Sequence, residues 1–481
     1  MKLKYIIIAL LPLIIFSCKP EMKDGFVPSN GEADFSKYVA LGNSLTAGYA
    51  DGALYHSAQE VSYPNILSGV LSQVGGGEFI QPVVTSEQGI LAGKLKLALV
   101  NGSLTPVPAE DGELEPFFPP IGYAVNNLGV PGAKVGHLLA AGYGNIENMA
   151  AGLANPYFVR FASSPNISVI EQALSMSPTF FSLWIGNNDV LGYASTGGVG
   201  DVITPVSEFA TYYGALCQMI NTSGAKGVLA NIPDVTSAAY FITVPGDALE
   251  IDITQATMLN LGLSQVETKV NEILAMAGLG AYSYGIHFES GKNGFLIEDN
   301  EFPYSALFDA IADTSTDAAT VLFLNQAQFR QIDLAAGELL TLKTPQDSLA
   351  LGMGSFYEFA PGVLLPYGIP NVYVLDQQEL ALVEEATQSY NDIIKNTAQE
   401  YDWAWVDINT KVNETKDGVV YNGIKLDNEY VTGGVFGLDG VHLTPRGNAL
   451  VADFFIEAIN KKYNSKISSV DVNLYPGVAL P

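Results

Sequence analysis

Short apolar runs alternating with longer helix-forming stretches predict an α/β fold built on a parallel sheet covered by helices on both faces. Two further observations support this class. The runs are continuously apolar rather than alternating, as strands buried on both faces must be, and turn residues bound each of them. The body, about 450 residues of a 481-residue chain that is 48% hydrophobic, is large enough for a substantial core. The first strand is expected at 38–41, where Tyr-Val-Ala-Leu runs into Gly42. The others follow at 180–185, 227–232 and 403–408. Helices are expected between and after them at 168–174, 205–220, 378–401 and 444–463, the last opening with Thr444-Pro445, a helix-start pair. In such sheets chemistry gathers at the carboxyl ends of the strands.

Two regions interrupt the alternation. Residues 75–120 are rich in Gly, Pro and acidic residues, including Gly75-Gly76-Gly77 and Phe117-Phe118-Pro119-Pro120, and read as an ordered excursion or hairpin. Residues 237–370 are too long for plain loop and carry Tyr282, Tyr284, Phe288, Phe295, Phe356, Tyr357 and Phe359. They read as an inserted subdomain, either roofing the site or standing remote from it. The main domain is then 34–236 with 371–465, followed by a C-terminal segment, 466–481.

The amino terminus reads as a targeting segment. Met-Lys-Leu-Lys precedes an apolar run from Tyr5 to Phe16, too short to span a bilayer but suited to a signal-peptide core over 1–17. The run ends Ile15-Phe16-Ser17-Cys18, which resembles the lipobox of bacterial lipoproteins, and that resemblance implies a lipid on Cys18 and an exported, membrane-anchored protein, with the outer membrane as the expected site. Residues 18–33 read as a polar tether. Loss of Lys2 and Lys4 with the leader takes the net charge from −28 to −30. A surface so acidic repels nucleic acid, so no nucleic-acid partner is expected. The other cysteine, Cys217, has no thiol to pair with and is expected in the core.

Four segments carry chemistry. In Gly42-Asn43-Ser44-Leu45, a serine follows a buried strand at a turn that exposes its hydroxyl. Asp439-Gly440-Val441-His442 precedes the last helix and offers a base, with an aspartate three residues earlier that can curl back to hold Nδ1. A serine hydroxyl needs such a base, and His56, His137 and His287 have no aspartate at that spacing. Oxyanion donors can come from Asn127-Leu128-Gly129-Val130-Pro131-Gly132 and from Gly186-Asn187-Asn188-Asp189, as backbone N–H groups or uncharged amides. Each segment alone reads as a turn or a helix cap; the four together form a set.

In this order the four segments resemble blocks I, II, III and V of the SGNH (GDSL-like) hydrolases. The resemblance takes in Asn231-Ile232-Pro233-Asp234 and residues 378–408 as well, roughly half the chain. It implies a three-layer α/β/α sandwich with a five-stranded parallel sheet, flavodoxin-like, with large insertions. It also implies Ser44 as nucleophile, His442 as base, Asp439 as its orienter, and an oxyanion hole from the Ser44 N–H, Gly132 and Asn188. Asn43 departs from the family's aspartate and removes a charge beside the serine. The activity implied is ester hydrolysis through an acyl-enzyme, on short acyl esters carried on glycans or, alternatively, on lipids. A non-catalytic glycan-binding lipoprotein on the same scaffold is the competing class. No cofactor is expected. No metal is expected either, since the histidines lack paired ligand spacing and no Asp-x-Asp-x-Asp-Gly calcium loop occurs.

Overall fold

The computed structural model describes residues 26–100, 102–110 and 112–481. The leader and Cys18 lie outside them. Five parallel strands form the central sheet: β1 (Tyr38–Gly42), β2 (Asn127–Gly129), β3 (Phe180–Trp184), β4 (Lys226–Ala230) and β5 (Ala404–Val406). Their order is β5-β4-β3-β1-β2. Every residue of β1 and β3 is buried, which is why these runs are continuously apolar.

Eight helices matter for placing the site. They are α1 (Tyr63–Leu71), α2 (Val169–Ser175), α3 (Asn188–Ala194), α4 (Val206–Asn221), α5 (Ile253–Met276), α6 (Gln377–Glu400), α7 (Ile408–Glu414) and α8 (Pro445–Tyr463). Helices α1 and α8 pack together on one face of the sheet, and α2, α4 and α6 cover the other, giving three layers. Strand–helix alternation produces this because each parallel crossover needs a helix to return the chain. Capping fixes the starts: Thr444 accepts from Gly447 N–H at α8, and Asp376 and Glu379 form a reciprocal capping box at α6.

Sequence and structure part company at several ends. The fourth apolar run stops at Val406, because the Asp407 carboxylate accepts from Thr410 N–H and starts α7 at Ile408. Strand β2, which the residues alone read as a turn, has only three members and pairs Asn127 with Ala40 and Gly129 with Gly42. The tether expected to reach residue 33 is shorter. Ser29 bridges Lys466, and Ala33 and Phe35 are buried in the main core. Residues 466–481 fold back as well, burying Ile467, Val470 and Val472 against the same core.

The 75–120 region carries an antiparallel hairpin, Leu95–Val100 with Ser103–Pro108. The insertion has its own apolar cluster, where α5 packs on Phe288, Phe302, Phe308, Phe329 and Phe356. Its first residues belong to the main body: Ala238 to Phe241 sit in the central core, and a separate cluster begins only beyond them.

Candidate active site

Strand β1 has β2 on one side and β3 on the other, so the chain leaves the sheet in opposite directions after β1 and β3 and opens a crevice between them. Register brings Gly42 level with both Gly129 and Trp184. Ser44, Gly132 and the Asn187-Asn188 pair, each two to four residues further on, therefore emerge at one edge. Gly42 must lack a side chain, because a Cβ there would lie 2.1 Å from Thr46 Oγ1 and 2.5 Å from the Trp184 carbonyl oxygen.

Ser44 opens a short helix, Ser44–Ala47, where its N–H has no intrahelical partner. Asn43 is buried and uses both ends of its amide. Oδ1 accepts from Leu45 N–H at 3.1 Å, and Nδ2 donates to Asn187 Oδ1 at 3.3 Å. A carboxylate could only accept, so asparagine suits a site where the neighbour presents an oxygen.

The three residues expected to form a catalytic triad come together. His442 Nε2 lies 2.9 Å from Ser44 Oγ, and His442 Nδ1 lies 2.9 Å from Asp439 Oδ2. In the tautomer with Nδ1 protonated, the Ser44 hydroxyl donates to Nε2. Asp439 Oδ1 accepts from Val441 and His442 N–H at 2.9 and 2.8 Å, and Oδ2 also accepts from Gly52 N–H at 2.8 Å. Burial alone would raise this carboxyl. The adjacent His442 and the converging N–H donors outweigh it and hold Asp439 well below the usual carboxylate range.

Sequence reasoning missed a clamp formed by the loop after the nucleophile. Gly52 N–H reaches Asp439, and Asp51 Oδ1 accepts from Leu438 N–H at 2.8 Å, so two loops far apart in sequence hold each other. Burial raises the Asp51 carboxyl, against the Leu438 N–H and the Tyr55 hydroxyl that it accepts from. The Tyr49 ring lies 4.6 Å from the His442 ring, centroid to centroid, and limits its tilt. The only local signal was Asp51-Gly52, both in left-handed backbone, and nothing in the sequence tied it to residue 439.

On the opposite side, Gly132 takes φ +78°, a left-handed conformation that glycine adopts without strain. Asn188 Nδ2 donates one hydrogen to the Ala133 carbonyl at 2.9 Å, which leaves the other for a substrate oxygen. Asn187 is occupied through Oδ1 by Asn43. Asn127 is spent structurally, donating to the Thr46 carbonyl and to Gln81 Oε1 while accepting from Gly129 N–H. Asp189 accepts from Val135 N–H at 3.0 Å through Oδ2. Burial pushes this carboxyl up to about 6, against the Thr204 hydroxyl, the Val135 N–H and Lys134.

An apolar cavity of about 50 Å³ adjoins Ser44 and His442, walled by Trp184, Leu191, Val235, Phe436 and Leu443. The insertion gives this cavity only Ser237 and Ala238 from its first residues. Further along, Tyr240 N–H donates to the Gly440 carbonyl at 2.9 Å and the Tyr240 carbonyl accepts from Leu342 N–H at 2.7 Å, so the insertion braces the back of the Asp439–His442 loop. Cys217 lies fully buried in α4, with its thiol raised by burial, remote in character from a nucleophile. No cluster of three or more His, Cys, Asp or Glu side chains placed to hold a metal ion occurs among the described residues. No protein-family model matches the chain, and neither a curated protein nor a solved structure matches it.

Proposed function

We propose that this chain is a serine ester hydrolase of the SGNH type that works through an acyl-enzyme on short acyl esters. The observation that carries the reading is the unbroken relay from Ser44 Oγ to His442 Nε2 and from Nδ1 to Asp439, both contacts 2.9 Å. Ser44 Oγ attacks the ester carbonyl carbon as its proton passes to His442 Nε2. The oxyanion is held by the N–H groups of Ser44 and Gly132 and by Asn188 Nδ2. Collapse breaks the bond to the alcohol, which leaves with the proton from His442. Water, deprotonated by His442, then attacks the acyl-enzyme, and the acid departs as Ser44 regains its hydrogen.

The cavity beside Ser44 supports the short-acyl reading. At about 50 Å³ it is a small pocket, which favours a short acyl group over a long chain. An intact relay weighs against a non-catalytic binding protein. The Cys18 anchor and export to the outer membrane are proposed on the leader alone, and transfer of the protein from membrane to soluble fraction in Cys18→Ala is the expected result.

A fluorophosphonate probe should label the wild type and spare Ser44→Ala. Among nitrophenyl esters of two to sixteen carbons, kcat/KM should peak at short chains. An efficiency that keeps rising, as it would if each added methylene gained about 0.8 kcal/mol in a tunnel, would put the lipase reading first.

A further inference from the structure

The imidazole of His442 has an aromatic neighbour as well as Asp439. The Tyr49 ring centroid stands 4.6 Å from that of the imidazole, with the two planes tilted by 47°. Tyr49 is fixed there on several sides. Its hydroxyl donates to the Gly52 carbonyl, and Gly52 N–H donates to Asp439 Oδ2, the oxygen 2.9 Å from His442 Nδ1. These contacts close a circuit around the imidazole: ring to ring, hydroxyl to Gly52, Gly52 to Asp439, and Asp439 to Nδ1. Tyr157 backs the Tyr49 ring edge-on at 6.3 Å, and both tyrosines pack on Ala47, Leu54, Val84 and Ile90. A ring held in this way stays beside the imidazole whatever charge the imidazole carries.

A side chain needed only to fill this space could be any apolar residue of similar volume. An aromatic ring adds a quadrupole with a negative face, and a cation within about 6 Å of the ring centroid is attracted to it. The imidazole lies inside that distance. Neutral, it gains little from the quadrupole; charged, it gains the attraction, so the ring distinguishes the two protonation states. The phenol itself stays uncharged, because burial, Tyr157 and Asp439 all raise it. The other titratable groups around the pair are Asp439 on the histidine's own loop, Asp51 and Tyr55 after the nucleophile, Lys94 from the 75–120 excursion, Tyr157 and Tyr430. Burial raises those three phenols too, so they also stay uncharged.

We infer that Tyr49 is a positioning residue for the charged form of His442, its ring favouring the imidazolium that appears when Nε2 takes the Ser44 proton. An interaction that strengthens with that charge is greater in the transition state than in the resting site, so it raises kcat and leaves KM alone. The hydroxyl has a separate task, tying the ring to Gly52 and through it to Asp439. The use in catalysis rests on the esterase reading; the preference of the ring for a charged imidazole does not.

The test is nuclear magnetic resonance titration of the histidine rings in the full-length wild type, Tyr49→Phe and Tyr49→Leu, with the His442 signal identified by its loss in His442→Ala, alongside ester kinetics. Tyr49→Phe keeps the ring and should titrate close to the wild type. Tyr49→Leu keeps an apolar cover without a quadrupole. Its His442 midpoint should lie lower by about half a unit, with kcat about threefold below that of Tyr49→Phe and KM unchanged. Pentafluorophenylalanine at position 49 keeps the shape of the ring and reverses its quadrupole, so it should titrate at or below Tyr49→Leu; this comparison decides the matter if the leucine variant does not melt normally. Equal midpoints for the phenylalanine and leucine variants, or for phenylalanine and its fluorinated form, overturn the inference. Midpoints in the expected order with equal kcat overturn the use in catalysis. Midpoints in that order while the wild type cleaves no ester end the esterase reading and leave the Tyr49 contact standing, and ester cleavage with equal midpoints does the reverse.

Discussion

Asp439 and Asp189 stand on opposite sides of Ser44, each fastening a loop, yet their surroundings push them in opposite directions. Asp439 collects the N–H groups of Gly52, Val441 and His442 together with the imidazole, and these keep it ionised despite burial. Asp189 receives Val135 N–H on one oxygen, and burial lifts it to about 6 against that N–H, the Thr204 hydroxyl and Lys134. Burial raises both carboxyls, and the imidazole beside Asp439, with the His442 and Val441 N–H groups, reverses that effect on one side only. On the proposed esterase reading, the base's side of the site needs that charge to stabilise an imidazolium. On the same reading the opposite side accumulates negative charge in the transition state, where a carboxyl with a raised pKa is the less costly neighbour.

The largest expected effect breaks the charged half. Asp439→Asn should lower kcat by about 10⁴-fold, because the amide no longer fixes the histidine tautomer, whereas Asp189→Asn should cost about tenfold or less. Equal losses would end the distinction. Ser44→Ala and His442→Ala should each cost at least as much as Asp439→Asn, and the double variant no more than either, since the residues act as one unit.

Next comes the oxyanion side. Asn188→Ala should lower kcat by about 10²–10³ with little change in KM, as a donor used in the transition state does. Asn187→Ala should cost less, because its amide oxygen serves Asn43. The reverse ranking would move the donor by one residue.

The smallest effect sharpens the comparison through pH. Asp189 has a raised folded pKa, so between about 4 and about 6 the folded state keeps a proton that the unfolded chain has released. Stability should fall as pH rises through that window, by about 3 kcal/mol. Asp439 is depressed and acts with the opposite sign: its contribution is present above about pH 4 and is lost as pH falls below. Urea midpoints of wild type and Asp189→Asn at about pH 2.5, 4 and 7 separate the two. The variant should lose the upper slope and keep the acid limb.

Legibility in the sequence followed the range of the interaction. Asp439 reaches His442 within one turn of chain, so an Asp-x-x-His spacing carries its own geometry. Four of the five central strands announce themselves because burial on both faces forces continuous apolar runs. Strand β2 does not, since three residues leave no pattern to read, and it exists because Asn127 and Gly129 meet β1.

The order of residues along the chain was enough to dictate the alternating α/β architecture, the serine after the first strand and the acid–base pair before the last helix. Each of these rests on residues close in the chain, where spacing fixes geometry. Only folding could decide that Gly52 and Tyr49 support a histidine almost 400 residues away and that Asp189 is raised while Asp439 is lowered. Those outcomes depend on which distant groups packing brings within hydrogen-bond range, and local composition carries no record of that.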